Sequence, residues 1–103
     1  MNIGLAIEKC RKLRGITKSR LAKESDLSAS YLTLIIKGER EPTISKLEDI
    51  ASALGVPSSI LLFLASDDSE LPNMSLEVKD ELRTVATKLI QAQAEKDNPL
   101  LSS

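Results

Sequence analysis

Apolar residues recur at helical spacing along almost the whole chain. Ile3, Ile7 and Cys10 fall at i, i+4 and i+7, with Ala6 and Leu13 widening the stripe, Asn2 in front as a side-chain cap and Gly15 behind as a stop. Leu21 and Ala22 mark a shorter run behind Thr17, and Leu32 and Ile35 mark another between Ser28 and Gly38. Ile44, Leu47, Ile50, Ala51 and Leu54 repeat at three- and four-residue steps between Thr43 and Gly55. Pro57 then opens PSSILLFLA, a run apolar on every side, which must be covered on every side. Beyond the polar segment SDDSELPN, Ser75 caps a last run in which Val78, Leu82, Val85, Leu89 and Ala92 alternate 4-3-4-3. The pattern predicts an all-α chain: helices within residues 1–65, a linker over 66–74, a C-terminal helix over 75–95, and a disordered tail over 96–103.

The two runs inside Ile16–Lys37 are separated only by Ser25, Asp26 and Leu27. Helices joined so tightly cannot lie antiparallel, so they cross steeply and the second keeps an outer face carrying Ala29, Ser30, Thr33, Leu34 and Lys37. This is the layout of a helix-turn-helix. Gly15-Ile16-Thr17, Leu21-Ala22, Leu27-Ser28, Tyr31-Leu32, Ile35, Gly38-Glu39-Arg40, Pro42, Leu47, Ile50-Ala51 and Leu54-Gly55-Val56-Pro57 together resemble the lambda repressor/Cro-like (XRE) family over residues 3 to about 64. The resemblance implies a compact five-helix DNA-binding domain whose third helix enters the major groove of double-stranded DNA; outside it, the apolar seam of the C-terminal helix reads as a dimerisation element.

Carried onto this sequence, the resemblance makes Ala29, Ser30, Thr33, Leu34 and Lys37 the candidate base contacts. Relatives often read bases with polar or basic side chains near positions 29 and 34. Ala29 and Leu34 can instead pack on thymine methyls, with Ser30 and Thr33 giving less selective hydrogen bonds. Thr17, Lys18, Arg20, Ser28, Tyr31, Arg40 and Thr43 are the candidate phosphate contacts, which fix register without reading sequence. Many relatives also pair an Arg at the position of Arg11 with a Glu at position 36; Ile36 removes that bridge.

Composition limits the chemistry. The 103 residues suffice for a single core, and the lone Cys10, placed inward, reads as a small buried hydrophobe rather than a redox sensor. With no His, no Cys-x-x-Cys and no glycine-rich phosphate loop, neither a metal, a cofactor nor a catalytic residue is expected. No apolar stretch is long enough for a bilayer, and MNIGLAIEKCRKLR has charge where a signal peptide would be apolar, so a soluble cytoplasmic protein is expected. The net charge of −1 is unevenly spread. Residues 1–66 hold ten Lys and Arg against seven Asp and Glu, giving +3, whereas residues 67–103 hold four against eight, giving −4. The basic excess coincides with the part resembling a DNA-binding domain.

The sequence therefore predicts a homodimeric, sequence-specific transcription regulator reading a palindrome, because one short helix makes too few base contacts for specificity. Leu61, Leu62, Phe63, Leu64, Val78, Leu82, Val85 and Leu89 are the expected dimer contacts, unless residues 71–95 fold back over Leu61–Leu64 within one chain. Size and layout are similar to restriction–modification controller proteins, phage repressors and antitoxin subunits. The alternatives are an antitoxin whose acidic C-terminal helix binds a protein partner, and, more weakly, an adaptor that has lost DNA binding.

Overall fold

Four polar side chains begin four helices by accepting a first-turn backbone N–H. In the computed structural model, which describes residues 1–97, Asn2 takes the N–H of Leu5 (3.0 Å), Thr17 that of Arg20 (3.1 Å), Ser28 that of Tyr31 (3.0 Å) and Thr43 that of Lys46 (3.2 Å). The helices are α1 (Ile3–Arg14), α2 (Lys18–Glu24), α3 (Ala29–Lys37) and α4 (Ile44–Leu54). Gly15, Gly38 and Gly55 close α1, α3 and α4 in the left-handed region. Helix α5 (Ser58–Ala65) follows Pro57, and α6 runs Leu76–Asp97, two residues past its expected end; the rest of the expected tail lies outside the described residues. No single described helix is long and apolar enough to cross a membrane.

The core is built around Ile7, Leu21, Leu32, Ile35, Ile50, Leu54, Leu61 and Ile90, all fully buried. Helix α1 is central, packing against α3, α4, α5 and α6, while α2 lies on α3 and α4. Cys10 is buried as expected, and burial pushes its thiol up to about 11, so at neutral pH it stays protonated.

Several expectations need correction. Within the segment expected as a linker, Asp68–Glu70 form a 3-10 turn, in which the Asp67 carboxylate accepts the Glu70 N–H and the Glu70 carboxylate accepts the Asp67 N–H. Asp68 also pairs with the buried Lys79 at 2.9 Å. Leu13 is exposed, because the inward line Ile3–Ile7–Cys10 continues through Arg14, whose stem is buried. Ile44, the first residue of the apolar repeat between Thr43 and Gly55, begins α4 outside the core and is 79% exposed.

The largest change concerns α6. It folds back over α1 and α5 within the chain, using Lys79, Ala86 and Ile90. The 4-3-4-3 stripe lies beside that inward face: Val78, Val85 and Leu89 are 43%, 48% and 42% exposed, and Leu82 is half-buried. Leu61 has no surface to offer a second subunit, whereas Leu62, Phe63 and Leu64 are part-buried.

Between α2 and α3, Asp26 adopts φ +55°, the only described non-glycine residue with positive φ. A side chain in that region costs roughly 1–2 kcal/mol, partly offset by the unfolded-state entropy that glycine adds. Asp26→Gly is therefore expected to raise the melting temperature by about 2–5 °C in a thermal unfolding scan. A lowered midpoint would mean that the carboxylate stabilises the turn.

Candidate nucleic-acid interface

Helix α3 turns Leu32 and Ile35 inward, and its opposite face follows from that choice. Ala29, Ser30 and Lys37 are exposed, and Thr33 and Leu34 are half-buried. The five base-contact candidates thus share the outward side of one nine-residue helix. The Thr33 hydroxyl donates to the Ala29 carbonyl at 2.9 Å, which leaves its lone pairs and methyl available to a neighbour. Leu34 and Ala29 add apolar surface without a hydrogen-bonding group.

The phosphate candidates divide into three kinds. Thr17, Ser28 and Thr43 are exposed caps whose oxygens accept from their own helices, so each hydroxyl hydrogen remains able to donate to an anion. Lys18 and Arg40 are exposed and, among the described residues, have no carboxylate within ion-pair range; the same holds for Lys37. Tyr31 is half-buried and packs against the core.

Arg20 differs from these. Its guanidinium meets Glu24 at 3.0 Å and Asp97, at the end of α6, at 3.1 Å. Asp97 also pairs with Arg14, whose Nε has no hydrogen-bond partner among the described residues. Burial pushes the Arg14 guanidinium down from its usual value, against the opposing charge of Glu24. Arg20 thus has two carboxylate partners within the chain, while its side chain stays 46% exposed.

Sequence reasoning missed the partner of Arg11. With Ile36 in place of the expected acid, Arg11 pairs with Glu8 through Nε (3.0 Å) and Nη2 (2.5 Å), and its Nη1 donates to the Ile16 carbonyl at 2.7 Å. The signal was present as an acid three residues before the Arg on one helix. Among the described residues, no group of three or more Cys, Asp or Glu converges as metal ligands.

A helix-turn-helix family model matches residues 7–61. The immunity repressor protein of Bacillus phage phi105 is 39% identical over 62 residues, covering 60% of this chain and 43% of the repressor, so the match spans less than half of that protein. The HTH-type transcriptional regulator y4dJ of Sinorhizobium fredii (strain NBRC 101917 / NGR234) is 31% identical over 67 residues, covering 65% of this chain and 86% of that protein. No solved structure matches.

Proposed function

Because the chain belongs to the helix-turn-helix family, of lambda repressor/Cro-like type, we propose that it is a transcription regulator that binds a palindromic operator as a homodimer. The observation that carries this reading is the outward side of α3, on which Ala29, Ser30 and Lys37 are exposed and Thr33 and Leu34 half-buried, while Thr17, Ser28 and Thr43 keep exposed hydroxyls at the starts of α2, α3 and α4. Similarity to a phage immunity repressor favours repression as the sign of regulation. The controller reading rests on size and layout alone. The exposed stripe of Val78, Val85 and Leu89 supports pairing through α6, with Leu82 at its buried edge. The same stripe favours the second reading, an antitoxin-like chain whose α6 takes a protein partner while α3 binds DNA.

A binding selection on random-sequence duplex DNA tests the first reading. An enriched palindrome with half-sites about ten base pairs apart is expected; absence of enrichment would remove it. On the selected duplex, Lys18→Ala and Arg40→Ala should each weaken binding to all sequences and reduce the slope of log affinity against log salt by about one. A variant whose slope matches the unsubstituted protein has lost no phosphate contact.

A further inference from the structure

We propose that Glu8 and Arg11 act as positioning residues for DNA binding, forming a strut that sets where Thr17 and Lys18 point; the proposal rests on the DNA-binding reading above. Arg11 holds Ile16 at both ends. Its backbone carbonyl accepts the Ile16 N–H at 3.4 Å, and its Nη1 donates to the Ile16 carbonyl at 2.7 Å. Ile16 is buried and directly precedes Thr17, the cap of α2, so whatever fixes its peptide group also fixes the start of that helix.

Glu8 fixes Arg11 in turn. Its carboxylate receives Nε and Nη2 in a fork, leaving Nη1 aimed at the Ile16 carbonyl. Both side chains are largely buried, at 20% and 16% exposure, so this pair is better shielded than a surface i,i+3 contact. The Arg11 hydrogen bonds hold the Glu8 carboxyl below its usual range, and the charge of Lys18 acts in the same direction. Glu8 is therefore an ionised acid near a proposed phosphate contact. By charge alone it should oppose DNA; as a strut it should favour DNA.

The two roles predict opposite signs. Glu8→Gln preserves shape but removes the charge and weakens the fork. On the selected duplex its affinity should fall about tenfold, with a reduced salt slope as the Thr17 and Lys18 contacts loosen. Arg11→Lys, which keeps the charge but cannot fork, should fall similarly, while Glu8→Asp should recover part of the loss. Unchanged or tighter binding by Glu8→Gln would overturn the proposal.

Amide hydrogen exchange on the free protein keeps this test separate from the DNA-binding reading. Faster exchange confined to residues 16–20 in Glu8→Gln supports the strut even if no operator is found. Unchanged exchange there overturns it, as does a uniform acceleration that marks mere loss of stability.

Discussion

Gly4→Ala is expected to lower the melting temperature by about 10–20 °C, equivalent to ~2–3 kcal/mol for a domain of this size. A Cβ at Gly4 would lie 2.2 Å from the Ile36 carbonyl oxygen and 2.8 Å from that of Ile35, both backbone atoms of α3 that cannot rotate aside. Alanine's helix propensity would return only ~1 kcal/mol. The relief available is for α1 and α3 to part, which re-aims Ala29, Ser30 and Thr33. Operator affinity should therefore fall even where the variant remains folded. Thermal unfolding and DNA titration at low temperature separate the two effects. A midpoint within 3 °C of the parent would show that the helices part cheaply.

The second large effect is a contrast between neighbours on α3. Leu32 is fully buried, and Leu32→Ala should cost ~2–5 kcal/mol in urea denaturation through lost transfer energy and the cavity left behind. Leu34 is half-buried on the opposite side of the helix, and Leu34→Ala should stay within about 1 kcal/mol of the parent. On DNA the order reverses. Leu34→Ala should change the preferred base at one half-site position by ~1–3 kcal/mol, whereas Leu32→Ala should keep the parent's preference at reduced active fraction. If Leu34→Ala selects the same site with equal discrimination, Leu34 is a packing residue.

How much of this was legible before the fold was known depended on whether the signal was local. Asn2, Thr17, Ser28 and Thr43 are caps because a short polar side chain followed by apolar periodicity acts within one turn, and all four begin helices where expected. The outward face of α3 follows from Leu32 and Ile35 by geometry. Three features were not legible because they depend on a distant neighbour. Arg14 is charged by identity, yet its burial depends on Asp97, 83 positions later. Gly4 is an ordinary small helical residue until α3 passes against it. In α6 two stripes compete. Val78, Leu82, Val85 and Leu89 carry more apolar area, but Ala86 is small enough for close approach to α1 and Lys79 buries its stem while reaching Asp68. Counting apolar side chains along one helix could not choose between them. The Asp67–Glu70 capping box was local and readable, but it sits in a polar, Pro-containing segment that reads first as a loop.

The position of α1 beneath α6 also orders events during synthesis. Cys10 and Ile90 line the same small cavity between α1, α5 and α6, so the cover over the thiol is completed by a residue 80 positions later in the chain. At ~5–20 residues per second, those 80 positions delay the α6 part of that cover by on the order of ten seconds in each nascent chain. A thiol that is shielded and protonated in the finished molecule thus lacks its α6 cover for part of translation. Chemical damage at Cys10 would therefore fall more on chains still awaiting α6 than on the finished molecule.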